Sequence, residues 1–249
     1  MRDYVAWIDT ADLPWSGDVP GIRFKQLSVN PGTQARTVLL RLDPEAGYVD
    51  QPSAHYHSAT EELLILAGRL SFDQRTWYHR GGYVFHPPGL VHGFASKVPE
   101  CAIMLARSDG PASTTFIPRG EERDDLPYYR SASSAAPTRP LAQVPSPWTG
   151  PFDRVPAQTG TITRFTYSQD AARGERSSLL RLGKDACEAQ PEAVPQGAAE
   201  ELLVLSGSVE AADGAVLHAG HFACYPAGHA RSALKALGTA EVFHSVFVD

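Results

Sequence analysis

The feature that most constrains the fold of this chain is an internal repeat with one constant spacing. The stretch ATEELLILAG, which begins at Ala59, recurs as AAEELLVLSG from Ala198, a shift of 139 positions. The same shift carries GGYVFHPPGLVHG, from Gly81, onto GHFACYPAGHARS, from Gly220. Because two separated segments keep a common offset, the sequence predicts a duplicated domain.

Each copy consists of short apolar runs separated by glycine, proline and aspartate. In the first copy these runs are TVLLRL, ELLILAG, YVFHP and CAIMLA. Such short runs between turn residues are typical of all-β sandwiches and barrels, and no long amphipathic helical pattern lies among them. The sequence therefore predicts an all-β protein with domains at residues 1–118 and 159–249, joined by a linker, 119–158, that is rich in proline and serine.

Composition limits the partners that this chain is expected to have. With 43% hydrophobic and 20% charged residues it resembles soluble globular proteins, and a net charge of −6 without a basic stripe argues against nucleic acid. Its three separated cysteines suit a reducing compartment, and neither a signal peptide nor a membrane-spanning run is apparent. We therefore expect a cytoplasmic protein that binds a small-molecule substrate, with no membrane or nucleic-acid partner; a homodimer is compatible with the sequence.

Two histidines in the first copy suggest a metal site. His55 and His57 are two residues apart, so in a strand they share a face while Tyr56 points to the other side. An isolated pair of this kind is more often structural than functional. Here Glu61 follows, and two imidazoles with a carboxylate suit a divalent first-row metal. If the downstream hairpin packs across the barrel, His92 completes the ligand set.

Both segments match the motifs of a known superfamily. GYVDQPSAHYHSATEELLILAG resembles the first cupin motif, with its His-x-His, three residues, Glu, six residues, Gly spacing. GGYVFHPPGLVHGFAS resembles the second, departing only at Ser96, where asparagine is usual at a position that binds no metal. The resemblance implies a bicupin, in which two tandem cupin barrels of the double-stranded β-helix (jelly-roll) type follow each other. It also implies one metal in the first barrel, held by His55, His57, Glu61 and His92.

The same resemblance sets expectations for cofactor and activity. It implies one divalent transition metal per chain, with Fe(II) favoured and Mn, Ni or Zn as alternatives. DTADLPWSGDVPGIRFKQLSVNPGTQARTVLLRLDPEAG is also similar to the segment that leads into cupins of the ChrR and diketone-cleaving dioxygenase types. These resemblances imply a metal-dependent oxidoreductase, a dioxygenase for a small keto, enol or aromatic compound, with Glu61 or a metal-bound hydroxide as proton acceptor. A redox-neutral isomerase, lyase or decarboxylase and a non-catalytic ChrR-like sensor module are the alternatives.

Six residues at alternating positions near the ligands are candidates for contacting the substrate, because alternate residues of a strand share a face. They are Gln51, Ser53, Tyr83, Phe85, Phe94 and Ser96. Together they predict a largely apolar pocket with a few polar anchors, which suits a small aromatic or keto compound better than a sugar. The neighbouring His86 is as compatible with an exposed position as with a functional one.

The second copy keeps the scaffold and loses the histidines. At the positions of His55, His57, Glu61 and His92 it has Val194, Gln196, Glu200 and Arg231. Valine cannot bind a metal, and arginine stays protonated and offers no lone pair. We therefore predict an inward Glu200–Arg231 ion pair in a metal-free barrel, with Gln196 hydrogen-bonded nearby. A pocket for an anion around Arg231 is the alternative to this purely structural role.

Overall fold

The computed structural model describes residues 1–111, 113–123, 139, 141–145, 158–189, 191 and 194–248. In these ranges nearly all regular structure is β-strand, and the helices are two short 3₁₀ turns, Thr10–Asp12 and Pro44–Ala46. The predicted all-β class is therefore confirmed. No helix in the described ranges has the length and apolar character needed to cross a membrane.

The chain divides into two compact units. The first unit contains residues 15–26 and the described residues between 33 and 147, and the second contains 1–14, 27–32 and the described residues after 147. The predicted linker, 119–158, lies largely outside the described residues. The domain boundaries drawn from the sequence therefore stay a prediction.

The strands of the N-terminal half, numbered in chain order, include all those of the first unit. They are β1 Val5–Asp9, β2 Ile22–Val29, β3 Arg36–Leu42, β4 His55–His57, β5 Glu61–Ala67, β6 Tyr83–His86, β7 Ala102–Ser108, β8 Thr114–Phe116 and β9 Ala142–Val144. A six-stranded sheet has the order β2-β3-β7-β5-β6-β9, and β4 pairs separately with β8. Strand β4 carries His55 and His57, β5 begins with Glu61, and His92 follows β6 and forms an isolated bridge with His55.

The antiparallel register of this sheet decides which residues share its inner face. Leu63 of β5 is opposite Val84 of β6 on one side and Ala106 of β7 on the other. Val38 of β3 is also opposite Ala106. Alternate residues of these strands pack into a core cluster formed by Leu63, Ile65, Leu70, Tyr78, Val84, Val98, Ala102 and Met104. Glu61 lies on the same face as Leu63, at the end of this core.

The second unit repeats the arrangement, with one strand from the start of the chain. Its further strands are β10 Ile162–Asp170, β11 Glu175–Leu182, β12 Ala199–Ser206, β13 Ser208–Ala211, β14 Val216–His218, β15 His221–Tyr225, β16 Leu234–Ala236 and β17 Ala240–Phe247. One sheet has the order β1-β15-β12-β17-β11-β10, and β14, β13 and β16 form another.

The strand register also aligns the two units residue by residue. Leu202 of β12 and Ser178 of β11 are both opposite His244 of β17. In the first unit the equivalent of Leu202 is Leu63, and that of Ser178 is Val38, because SSLLRL from Ser177 repeats TVLLRL from Thr37. Both are opposite Ala106. His244 therefore occupies the position that Ala106 has in the first unit.

Candidate metal centre

Three histidines of the first unit converge where β4 meets the loop after β6. His55 and His92 exchange two backbone hydrogen bonds, both 2.9 Å long, and their ring centroids are 4.4 Å apart. The ring of His57 lies 5.3 Å from each of the other two. Gly93 permits this approach, because a Cβ at that position, where φ is +77°, would lie 2.6 Å from Cε1 of His55.

Glu61, the first residue of β5, places its carboxylate among the imidazoles. Its Oε1 is 3.5 Å from Nε2 of His57, and its Oε2 is 3.2 Å from Nε2 of His92 and 2.8 Å from Nδ1 of His86. Burial alone would favour the neutral acid. The surrounding histidines outweigh it and hold the pKa of Glu61 well below its ordinary value. Glu61 is therefore an ionised carboxylate at neutral pH.

Backbone carbonyls orient the three converging rings. The Nδ1 atoms of His57, His92 and His55 lie 2.8, 3.1 and 3.4 Å from the carbonyl oxygens of Ser113, Leu90 and Ser53. Because a carbonyl only accepts, the neutral rings carry their proton on Nδ1 and present a lone pair at Nε2. The Nε2 atoms of His57 and His92 are buried, and neither has a hydrogen-bond partner in the described part of the chain. These two atoms have the environment of metal ligands.

Burial and neighbouring charge set the protonation of the histidines. Burial, reinforced by His92, lowers the pKa of His55 to about 4. Burial, reinforced by His86, also lowers the pKa of His92. Burial acts in the same direction on His57, but Glu61 and the Ser113 carbonyl outweigh it and raise the pKa of His57. His55 and His92 are therefore neutral beside an ionised Glu61, whereas His57 is shifted toward its protonated form and would release that proton on binding a metal.

Two overlapping groups of side chains have a spacing compatible with metal binding. One consists of His55, His57 and His92, and the other of Glu61, His86 and His92; within each, the ligand atoms lie within 4.8 Å of one another. The structure thus brings together the four residues singled out by the cupin resemblance. Which of these side chains bind a metal stays a prediction.

His86 is a member of this cluster that sequence reasoning did not select. It is 1% exposed, and its Nδ1 lies 2.8 Å from Oε2 of Glu61. Its Nε2 is 3.4 Å from the side-chain nitrogen of Gln143 in β9. The local sequence carries no signal for this role, because only the register of β6 against β5 places His86 opposite Glu61.

The predicted substrate contacts occupy different places. Gln51 and Ser96 line a cavity of about 180 Å³ together with the histidines of β4, and the buried hydroxyl of Ser96 has no hydrogen-bond partner in the described residues. Phe94 borders another cavity of about 180 Å³, beside His92. Ser53 contributes its carbonyl to His55, and its hydroxyl is 3.4 Å from the carbonyl of Ala54.

Tyr83 and Phe85 were predicted to face the substrate, and the structure places them on the other side of β6. The hydroxyl of Tyr83 donates to Oε1 of Glu62 at 2.6 Å, and Phe85 is opposite Glu62 in the register. The guanidinium of Arg139 lies 4.3 Å from the centroid of the Phe85 ring. Alternate residues of a strand face opposite sides, and in β6 the inward residue opposite Glu61 is His86.

A larger cavity of about 560 Å³ begins at His57 and Glu61. Its volume lies in the range of small-molecule sites. Its walls are mostly apolar and include Val19, Ile22, Phe24, Val38, Leu40, Leu63 and Ala106. The short side chain of Ala106 leaves space next to Glu61 that a larger residue would fill.

In the second unit, Glu200 is surrounded by different groups. Nε of Arg231 donates to Oε1 of Glu200 at 2.7 Å, and its two terminal nitrogens donate to Glu188 at 2.5 and 2.8 Å. Nε2 of His244 lies 2.6 Å from the same oxygen of Glu200. Burial opposes ionisation, but His244 and Arg231 outweigh it and hold the pKa of Glu200 below its ordinary value. Every guanidinium nitrogen of Arg231 already binds a carboxylate, which argues against an anion pocket around it.

Gln196 was expected in this cluster, and the structure does not bring it there. It is exposed in the turn before β12, whereas Val194 is half-buried. Sequence reasoning missed two partners of this cluster, Glu188 and His244. Glu188 binds Arg231 from a segment whose repeat equivalent was not identified. His244 lies opposite Leu202, a position that depends on the register of β17.

Comparison with known proteins agrees with this architecture. Residues 4–110 match the family described as the ChrR cupin-like domain. No curated protein sequence is significantly similar to the chain.

Several solved structures share the fold at low sequence identity. A proposed dioxygenase from Nostoc punctiforme is 16% identical, with a TM-score of 0.70 over 100% of this chain and 87% of the other. A mutant of salicylate 1,2-dioxygenase from Pseudoaminobacter salicylatoxidans is 16% identical, with a TM-score of 0.57 over 90% and 75%. A mutant of Bacillus subtilis oxalate decarboxylase is 16% identical, with a TM-score of 0.52 over 98% and 77%. At such identities the similarity shows a shared fold.

Proposed function

We propose that the first unit is a metal-dependent enzyme, a dioxygenase of the Fe(II) type that acts on a small keto, enol or aromatic compound. The observation that carries the proposal is the pair of buried, unpartnered Nε2 atoms of His57 and His92 beside the ionised Glu61. His57 and Glu61 border a largely apolar cavity of about 560 Å³, which is large enough for such a substrate.

His55, His57, Glu61 and His92 would hold the metal in this proposal. Three neutral imidazoles and one carboxylate suit a divalent first-row cation, and Fe(II), Mn, Ni and Zn are all compatible with this set. Bound Fe(II) supplies Lewis acidity and electrons for reaction with dioxygen. The fold shared with a proposed dioxygenase and with salicylate 1,2-dioxygenase supports the choice of an oxygenase reaction.

The chain's own residues hold the carboxylate in place. Nδ1–H of His86 donates to Oε2 of Glu61, so that Oε1 remains directed toward His57. The side-chain amide of Gln143 can donate to Nε2 of His86, which fixes the His86 tautomer needed for this bond. His86 is thus a positioning residue, of the kind that tunes metal affinity from outside the ligand set.

The acid–base properties of Glu61 favour the role of ligand over that of base. Its pKa is held well below its ordinary value by the surrounding histidines, and a carboxylate with a low pKa accepts protons poorly. Glu61 is also one of the two proton acceptors expected from the sequence, provided that it detaches from the metal. In that role it would first have to lose these histidine contacts. The apolar cavity walls meanwhile exclude water from the substrate.

An oxygen electrode tests the proposed reaction directly. Protein loaded anaerobically with Fe(II) is offered a panel of diketones, catechols and flavonols, and we expect oxygen uptake with at least one class that is lost in His57→Ala. Turnover without oxygen would favour a redox-neutral lyase, isomerase or decarboxylase. Binding without turnover would favour a sensor module similar to ChrR. No uptake with any compound would contradict the oxygenase.

A further inference from the structure

An arginine lies in the same row of inward-facing residues as Glu61. Arg36, the first residue of β3, is opposite Ser108 of β7. Between β7 and β5, Arg107 is opposite Glu62. In antiparallel pairing the next residue of β7, Ser108, is therefore level with Glu61 of β5. Arg36, Ser108 and Glu61 therefore form one row across three neighbouring strands. Since neighbouring strands are about 4.8 Å apart, the backbones of Arg36 and Glu61 are separated by about 10 Å.

The guanidinium of Arg36 borders the same cavity as the candidate metal ligands. Arg36 and Phe24 both line the cavity of about 560 Å³, and Cζ of Arg36 lies 6.0 Å from the centroid of the Phe24 ring. Arg107 also borders this cavity, but its Nε donates to Glu62 at 2.6 Å. Arg36 thus presents a cation to the cavity that His57 and Glu61 also line.

Arg36 differs from the buried Arg2 and Arg231 in having no carboxylate partner within the described part of the chain. Arg2 is paired with Glu201 at 3.2 Å and Arg231 with Glu200 at 2.7 Å. Among the residues that the structure describes, Arg36 forms neither an ion pair nor a side-chain hydrogen bond. A guanidinium half withdrawn from water in an apolar cavity favours an anionic partner, and its planar fork matches a carboxylate.

We propose that Arg36 is the carboxylate anchor of this cavity, and that the ligand is an organic carboxylate with an apolar body. The carboxylate binds Arg36, and the aromatic or alkyl body lies along Val38, Leu40 and Leu63, which line the same cavity. The separation of about 10 Å leaves room for one ring or a short chain between the two ends. The contact between the carboxylate and Arg36 is independent of the proposed function. Only the further step, in which the opposite end of the ligand chelates a metal, rests on the proposed function.

Calorimetric titration of the metal-free protein tests the anchor without any metal. The probes are 4-butylbenzoate and its methyl ester, which differ in charge and share the apolar body. We expect the acid to bind at least about tenfold more tightly than the ester, as for a hydrogen bond to a charged group. Arg36→Met should abolish this preference, and Arg36→Lys should keep part of it. Arg75→Met, at an exposed arginine outside the cavity, is the matched control.

Three results would overturn the inference: equal affinity for acid and ester, no binding of either, or a preference that persists in Arg36→Met. Thermal melting of each variant accompanies the titrations, and the Arg36→Lys protein provides a second measurement if Arg36→Met is unstable.

A second pair of probes separates this inference from the proposed function. The Zn(II)-loaded protein is titrated with 4-acetoacetylbenzoate and its methyl ester, which share a chelating diketone. If the preference for the acid depends on Arg36 but zinc increases the affinity for neither probe, the carboxylate anchor is supported and the metal-dependent function is contradicted. If zinc increases the affinity for both probes equally and Arg36→Met leaves both affinities unchanged, the metal role is supported and the carboxylate anchor is overturned.

Discussion

Glu61 and Glu200 occupy the same position in the two units and are kept ionised by different means. Glu61 lies among His57, His86 and His92, whereas Glu200 lies against Arg231 and His244. An imidazole can exchange its contact with a carboxylate for a metal, because its neutral form has a lone pair. A guanidinium cannot do so. The same inward carboxylate is therefore open to a metal in one unit and closed by a fixed cation in the other.

The two units also differ in the side chain that lies beside the carboxylate. Ala106 leaves a cavity next to Glu61, while His244, at the equivalent position, fills the space and binds Glu200 at 2.6 Å. Nδ1 of His244 is in turn 3.3 Å from Arg164. At this position one unit has a small side chain that leaves room for a ligand, and the other has an imidazole that joins a polar network. The unit without the metal-ligand histidines thus also has the larger side chain beside its carboxylate.

The largest expected effect is on the stability of the polar network. Arg231→Met would leave Glu188 and Glu200 without their guanidinium, and breaking a buried pair typically costs about 3–5 kcal/mol. Urea denaturation measures the change. Arg69→Met is the control, because Arg69 forms an exposed pair with Glu100 at 3.5 Å and should cost less than about 1 kcal/mol. Equal losses in the two variants would mean that the network is not the main support of the second unit.

The next effect is on metal affinity. His57→Ala removes one of the unpartnered Nε2 atoms, and the affinity for a divalent metal should fall more than about 100-fold, beyond the usual effect of residues outside the ligand set. Competition with a chromophoric chelator measures it. His218→Ala, at an exposed histidine of the second unit, should leave the affinity unchanged. Two metal equivalents per wild-type chain would contradict the contrast between the units.

A smaller effect is expected at His86. His86→Leu removes the hydrogen bond to Glu61 and should weaken metal binding about tenfold. His86→Asn retains a donor at the position of Nδ1 and should recover part of the affinity. The same chelator competition compares the two variants. If both variants lose as much metal affinity as His57→Ala, His86 is a ligand and not a positioning residue. If neither variant loses metal affinity, His86 serves only packing.

The smallest effect is a pH dependence of stability. The pKa of Glu200 in the folded protein is lower than its ordinary value of 4.5, so its ionised form adds stability above that pH. This contribution is lost as the pH falls through the folded-state pKa, by at most about 1.4 kcal/mol per pH unit for one proton. Denaturation at several pH values should therefore show wild type and Glu200→Gln converging below pH 4.5. A constant difference down to acid pH would contradict this sign.

Much of this contrast could be predicted from the sequence. The repeat identified the duplicated segments, the short apolar runs predicted the strands, and motif spacing selected the four residues that the structure brings together in the first unit. The pair Glu200 and Arg231 followed from the aligned positions. These inferences succeed because they depend on periodicity and on residue order, which the chain carries directly.

Only the tertiary structure decided which further side chains complete each cluster. His86 lies opposite Glu61, and Tyr83 shares the face of Glu62, because of the register between β5 and β6; a shift of one residue would place Phe85 or Pro87 opposite Glu61. His244 reaches Glu200 for the same reason, from a strand distant in sequence. That Arg36 forms no ion pair with a described residue is likewise a property of packing. Register and packing depend on contacts between residues far apart in the chain, and no local pattern records them.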